Sequence, residues 1–457
     1  MKRNVKRKFK KEGDINDVLV VALPMLLSMS FDTLMTFIDR LFLSRVGPEY
    51  MNAALGGSGA QMIFLTFFIG LIAYATALVA QNLGAKRNEN CAKVLSQTLY
   101  FSLLSAPILI ALVPLGYYAF SFENLGPLQL SEQKDYFAIL MYGSVITLLR
   151  NSFSSFFSGI GEAKIIMQAS FVGMIVNVIA NYFLIYGHWI FPAMNASGAA
   201  YGTLLGNGTS LAMLALKYFS KDLRTRFNTA HSFGIDKPLI GELFRKGGPS
   251  GIEMFSNMTA FQMLLFLFHG MGPVAATAAS IMFNWDMVAY VPLMGLEIAS
   301  MSLVGRYIGA KSPAAAKRST YSGLHLGWAY SAFIFIAFVF LPGPLVDFFK
   351  PDTASALFDT ARPIAIFMVR IAAIYVTIEV LLVIYGGALR GAGDTIWVMF
   401  AMSAMNWTCT LLLWIAAYVI KFPPQYCWLV VVCTYSSFPI IFFLRWRKEK
   451  WRKAMQT

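Results

Sequence analysis

Long apolar stretches alternate with short polar links along almost the whole 457-residue chain. A helix rising 1.5 Å per residue needs roughly 20 apolar residues to cross the hydrocarbon of a bilayer. Windows of that length predict twelve spans, at 18–44, 53–82, 94–121, 134–158, 164–190 and 197–219, then 245–270, 274–307, 319–349, 362–388, 395–420 and 426–445. The expected fold is therefore an all-α integral membrane protein, because a spanning segment must satisfy its own backbone hydrogen bonds. The even count places both termini on one side. Lys and Arg crowd the amino-terminal tail and alternate links: Lys86 and Arg87, the 217–246 region, Arg306 to Arg318, and the terminal RWRKEKWRK. The intervening links (GPEYMNA, GHWIFPAMNASG, HGMGP, KFPPQY) are poor in them. The positive-inside rule then makes both termini cytoplasmic, and the expected location is multi-pass in the cell's inner (plasma) membrane.

Composition sharpens this picture at three points. Charged residues make up only 13% of the chain, against about 25% in soluble domains. The net charge of +14 sits in the links, so orientation in the membrane explains it and nucleic acid is not an expected partner. The four cysteines, Cys91, Cys409, Cys427 and Cys433, lack metal-ligand spacing and read as inert packing groups. The basic start MKRNVKRKFKK precedes a span far longer than the apolar core of a signal peptide, so it reads as an uncleaved anchor.

The chain repeats itself. LVAQNLGAK at 78–86 aligns with LVGRYIGAK at 303–311, and the same offset of 225 residues carries Pro24 to Pro249 and Gly47-Pro48 to Gly272-Pro273. SGIGEAKIIM at 158–167 recurs as RGAGDTIWVM at 390–399. An even number of helices per repeat preserves orientation, so two parallel, pseudo-symmetric six-helix lobes are expected, able to rock about a central cleft. The units are a basic tail (1–16), an amino-terminal lobe (17–220), a cytoplasmic linker (221–240), a carboxy-terminal lobe (241–446) and a second basic tail (447–457).

Charges inside spans are costly and point to function. Asp32 and Asp39 in the first span are seven residues apart, so they share a helix face about 10 Å apart. The repeat aligns Asp32 with Asn257 and Asp39 with Leu264, so the pair belongs to the first half only. Interfacial snorkelling is the plain alternative for Asp39 and Arg40. In the second half, Glu253, Asp286, Glu297 and Glu379 fall within spans, with Asp286 and Glu297 close to three turns apart. Arg370 stands out as a mid-span cation and an alternative partner for Asp286.

These motifs together resemble the multidrug and toxic compound extrusion (MATE) transporters, of the prokaryotic type. The resemblance is carried by P-x14-D in the first span, VAQNLGA, GIGEAK, NVIANYFLIYG with SGAAYGT, LVGRYIGA and LRGAGDT, in that order over nearly the whole chain. It implies a secondary antiporter, not an enzyme, that exports amphipathic, often cationic organic compounds against H⁺ or Na⁺. By that likeness Asp39 is an amino-terminal-lobe coupling residue, with Asn177 and Asn181 beside it. Many members have Gln where Asp32 stands, and proton-binding members commonly carry Asp at the place of Asn181. Asp32 is then a candidate to supply the missing carboxylate. Asp394 in GAGDT also matches a family acid, with helix capping or loop packing as its plain role.

Two ion chemistries stay open. A proton site needs a buried carboxylate, whereas Na⁺ needs several oxygens, which Asp39, Asn177, Asn181 and a backbone carbonyl freed by Pro24 supply. The balance leans narrowly to H⁺. For a cationic substrate the candidates are Asp286, Glu253, Asn257 and Glu379, with aromatic or polarisable walls from Trp285, Tyr290 and Met287. No cofactor beyond the coupling ion is expected, and the partners are small organic substrates and membrane lipid, with the chain a monomer. The competing readings are a lipid-linked sugar flippase, which needs a cationic cavity, and an intramembrane transferase, which needs a clustered acid or His–acid motif. The scattered His188, His231, His269 and His325 offer no such cluster.

Overall fold

A computed structural model describes residues 12–122, 125–350, 356–449 and 451–452. The described chain is helical and carries no strand. Twelve rods follow one another: α1 Ile15–Val46, α2 Pro48–Gly84, α3 Asn88–Phe120, α4 (Pro127–Tyr142 and Ser144–Gly159), α5 Ala163–Tyr186 and α6 Asn195–Tyr218 form the first lobe. The second contains α7 Lys237–Gly270, α8 Pro273–Gly309, α9 Pro313–Phe340, α10 Ala356–Gly391, α11 Thr395–Val419 and α12 Pro424–Arg447. Ten of these are long and apolar enough to cross a membrane on those grounds alone. The other two, α4 and α6, dilute their apolar residues. The first half of α4 carries Glu132, Lys134 and Asp135, and α6 is rich in Gly, Ala, Asn and Thr.

Helix ends follow the local chemistry. Asp14 caps α1 by accepting from the Ile15 N–H, and Asp236 caps α7 by accepting from Leu239 N–H at 3.2 Å. Pro48 and Pro273 occupy the first turns of α2 and α8, where a missing N–H costs nothing. The stretch between the lobes, expected as a polar linker, contains a short helix at Lys221–Phe227 and one 3₁₀ turn at Thr229–His231. Most of the first basic tail lies outside the described residues.

The lobes meet along a pseudo-symmetric seam. α1 packs on α8 while α7 packs on α2, each pair being the repeat counterpart of the other. Small residues allow the approach. A Cβ built on Gly70 would lie 2.6 Å from the Ser250 carbonyl oxygen, and one on Gly295 would lie 2.9 Å from Leu26 N. Gly70 and Gly295 are 225 residues apart, as are Leu26 and Gly251, which Gly70 also touches. Further along, a Cβ on Gly84 would collide with the Arg306 carbonyl, and one on Gly309 with the Gln81 carbonyl. Gln81 Nε2 donates to Gly391 O at 2.8 Å, and Ser302 Oγ donates to Ser158 O at 2.7 Å, both across the lobes.

All of these contacts lie toward the end that carries both termini. Arg318 donates to Glu12 O, Ser322 to Gly13 O, and Lys317 pairs with Glu449, which brings the two chain ends together against α9. At that end one apolar cluster joins residues of both lobes, including Val21, Leu71, Tyr74, Leu293 and Val304. Toward the opposite end the apolar clusters stay within one lobe each. The lobes are therefore sealed at the terminus end and separately packed at the other.

Candidate functional site

Two polar layers cross the amino-terminal lobe. The first surrounds Asp39, which turns inward from α1 and is only 4% exposed, while its neighbour Arg40 is exposed. That contrast excludes the snorkelling alternative for Asp39. Asn181 Nδ2 donates to Asp39 Oδ1, Thr203 Oγ1 donates to Asp39 Oδ2 at 2.9 Å, and Asn181 Nδ2 also reaches Asn177 Oδ1 at 3.3 Å. Asn177 and Asn181 are one turn apart on α5, so both amides face α1. Every hydrogen-bonding side chain placed on this carboxylate is neutral. Asn181 Oδ1 and Asn177 Nδ2 are buried without a partner among the described residues. Leaving a buried polar atom unpaired costs about 1–3 kcal/mol, so these two atoms favour a hydrogen-bonding or coordinating partner beside Asp39. Asp39, Asn177 and Thr203 bring side-chain oxygens to this layer, whereas Asn181 turns its N–H₂, not its oxygen, toward Asp39.

The second layer lies two turns along α1 toward the terminus end. Here Arg150, from α4, binds both oxygens of Asp32 through Nη2 at 2.8 Å, with Nη1 on Asn207 Oδ1 and Nη2 on Ser170 Oγ, each at 2.8 Å. Ser170 Oγ in turn meets Ser28 Oγ at 2.7 Å. Asp32 thus shares the helix face of Asp39 but is placed on a guanidinium, not in the Asp39 cage. The expectation that it substitutes for a carboxylate at Asn181 does not match this placement.

The carboxy-terminal lobe divides the expected substrate group into three. Arg390 binds Glu253 and Glu297 together, so Glu253 is held in an ion triad joining α7, α8 and α10. Asn257 accepts from Asn406 Nδ2 at 2.8 Å, and Asn406 Oδ1 accepts from the Tyr435 hydroxyl. Asp286 and Glu379 come together around Tyr375, whose hydroxyl donates to Glu379 Oε1 at 3.0 Å. Asp286 Oδ1 and Glu379 Oε2 are buried without partners among the described residues. Tyr290 neighbours Glu379 and the Arg390 triad. Trp285 points elsewhere: its N–H donates to Leu345 O at 2.9 Å and its ring packs on Phe348 and Phe349. Met287 is exposed.

Arg370, read from the sequence as the clear mid-span cation, is exposed. Asp286 neighbours Tyr375 instead. Among the described residues, Arg150 and Arg390 are cations that enter the lobes, and sequence reasoning passed over both. A signal existed, since a cation at the middle of a span (LLRNSF) demands a partner inside it. Asp394 forms a two-point ion pair with Arg445 at 2.7 and 3.0 Å and makes no side-chain cap bond on α11. Its repeat counterpart Glu162 likewise pairs with Arg226 at 3.2 Å.

The MatE family model matches residues 24–183 and 249–415, one stretch in each lobe. A MOP superfamily transporter from Pyrococcus furiosus superposes with a TM-score of 0.86 at 19% identity, over 99% of this chain and 100% of that one. A multidrug resistance MATE transporter in an outward-facing conformation gives the same score, identity and coverage. The eukaryotic MATE transporter AtDTX14 gives 0.85 at 16% identity, over 96% of this chain and 97% of that one. Family matches in both halves, on the twelve-helix two-lobe fold described above, make this chain a member of the MATE family of multi-pass membrane transporters.

Proposed function

We propose that this transporter is a secondary antiporter that exports amphipathic, cationic organic compounds in exchange for H⁺ or Na⁺. Its lobes alternate access to the central cleft, its termini are cytoplasmic and it works in the plasma membrane as a monomer. The observation that carries this reading is the Asp39 cage: a buried carboxylate inside a span whose hydrogen-bonding side chains are all neutral. Such a group needs a positive partner that comes and goes, because a permanent one would leave nothing to exchange. Asn181 supplies a way to register occupancy. In the structure its amide N–H₂ faces the carboxylate. Rotation of that amide offers Oδ1 instead, which suits a protonated carboxyl or a bound Na⁺. A lobe whose buried carboxylate has been loaded is relieved of an uncompensated charge. Its free energy in the two lobe arrangements then differs from that of the empty lobe, as ion coupling requires.

The Asp286–Glu379 pair, with one oxygen of each carboxyl left without a partner among the described residues, supports a second ion- or cation-binding position in the other lobe. The basic links support the cytoplasmic placement of the termini. The sealed terminus end and the separately packed far end support a cleft open away from the cytoplasm in this conformation. The flippase reading draws less support, because Arg150 and Arg390 are both committed to carboxylates.

Purified protein in liposomes loaded with a fluorescent cationic dye provides the test. An imposed H⁺ or Na⁺ gradient drives dye against its own gradient in wild type and leaves Asp39→Asn inactive though correctly inserted. Dye flux that ignores both gradients sinks the antiport reading; full activity of Asp39→Asn removes Asp39 from it.

A further inference from the structure

We infer that Arg150 holds Asp32 out of ion exchange, so that the amino-terminal lobe carries one exchangeable charge, at Asp39, and not two. The inference deepens the antiport reading above and rests on it. α1 presents two carboxylates on one face, and the structure treats them oppositely. Asp39 is surrounded by amides and a hydroxyl, whereas Asp32 is matched by a guanidinium that remains charged throughout the physiological range. Both Asp32 oxygens lie 2.8 Å from the same Nη2, and Asn207 and Ser170 fix the remaining geometry of that side chain. The four helices α1, α4, α5 and α6 contribute to this layer, so Arg150 cannot swing aside without breaking contacts to three of them.

Access makes the distinction necessary. The Asp32 side chain is 39% exposed against 13% for Arg150, so burial does not protect it from ions entering the cleft. Charge does. A cation approaching Asp32 meets a carboxylate already neutralised, with a positive group immediately behind it. The same cation at Asp39 meets no competing cation among its hydrogen-bonding partners, and Arg40 is exposed. Arg150 thereby acts as a positioning residue for ion number: it decides how many charges the lobe loads, not how tightly Asp39 holds its own.

The number of ions exchanged per substrate reads this out. In liposomes, the H⁺ or Na⁺ gradient that just balances an opposing substrate gradient gives that number for wild type, Arg150→Gln, Arg150→Lys and Arg150→Gln/Asp32→Asn. Arg150→Gln frees Asp32 and is expected to exchange one ion more than wild type. Arg150→Lys keeps the charge, and the double variant removes the freed acid, so both are expected to match wild type. Equal counts in wild type and Arg150→Gln overturn the inference, as does an extra ion in Arg150→Lys. If Arg150→Gln does not insert, Asn207→Asp asks the same question from the other side. It puts a second carboxylate on one guanidinium and should add one ion, and an unchanged count overturns the inference. Wild-type flux indifferent to both gradients is the separate failure of the antiport reading. The count then moves to purified protein, by calorimetric titration with NaCl and by proton uptake on acidification, where the one-site excess of Arg150→Gln over wild type is still required.

Discussion

Arg390 is the residue on which the most intramembrane charge depends. It faces Glu253 on one side and Glu297 on the other, and its side chain is 14% exposed. Desolvating three charges is expensive, and the attraction among them offsets this only while all are present. Arg390→Gln leaves two facing carboxylates with no cation. Removing one partner of a buried ion pair costs about 3–5 kcal/mol, so this variant should show a large drop in thermal unfolding temperature in detergent. Glu297→Gln, which leaves the Arg390–Glu253 pair intact, should cost far less. Similar melting of the two variants would show that the triad is not the structural tie that its geometry indicates. This residue also marks what the sequence conceals. Glu253 and Arg390 are 137 residues apart, and Asp32 and Arg150 are 118 apart. Spans could be read locally because the bilayer imposes a length and a composition on each one separately. Which acid meets which base is decided by how six helices pack, and no local pattern records it. Asp39 with Asn177 and Asn181 was legible as a group only through likeness to a family.

At the scale of elements, the contact of the carboxy-terminal segment with α9 gives a pH-dependent prediction. Lys317 at the start of α9 pairs with Glu449, just beyond α12, and Trp451 stacks on Trp446 with ring centroids 4.6 Å apart. The Lys317 side chain, by hydrogen bonding and charge, holds the Glu449 carboxyl below its ordinary range. A depressed acid contributes stability that is present above its unfolded value and is lost as pH falls through the folded one. Glu449→Gln should therefore speed amide exchange in residues 444–452 at pH 7. At a pH below both values the variant and wild type should exchange alike. An undiminished difference under acid would mean that the glutamate acts through packing and not charge. The breaks within α2, α3, α4 and α12, at Tyr74, Leu112, Gly143 and Phe438, were not legible. Hydropathy windows count apolar residues and carry no information on where a backbone bends.

For the whole molecule, the repeat matters most at the seam. Gly84 on the Arg306 carbonyl mirrors Gly309 on the Gln81 carbonyl, and each lobe contributes the same pair of roles. The recurrence of GA-K in LVAQNLGAK and LVGRYIGAK was visible in the sequence, but its purpose was not. Glycine is required there because two backbones approach too closely for any Cβ. A seam of backbone contacts and a few interlobe hydrogen bonds, donated by Gln81, Ser302 and Tyr307, can open without breaking an intramembrane ion pair, since the Asp32–Arg150 pair and the Arg390 triad each stay within one lobe. The lobes can then separate as rigid bodies. A crosslink at the seam should consequently stop transport while leaving the proposed ion-binding positions intact. A Cβ on Gly305 would lie 3.2 Å from Ala80 Cβ, slightly under the span of roughly 3.5–4.5 Å typical of disulfides. With the four native cysteines replaced, Ala80→Cys/Gly305→Cys should oxidise with small local adjustment, lose ion-driven dye transport and recover it on reduction. Ion binding by the oxidised protein should persist. Undiminished transport by the fully oxidised pair would show that the lobes do not part at this seam.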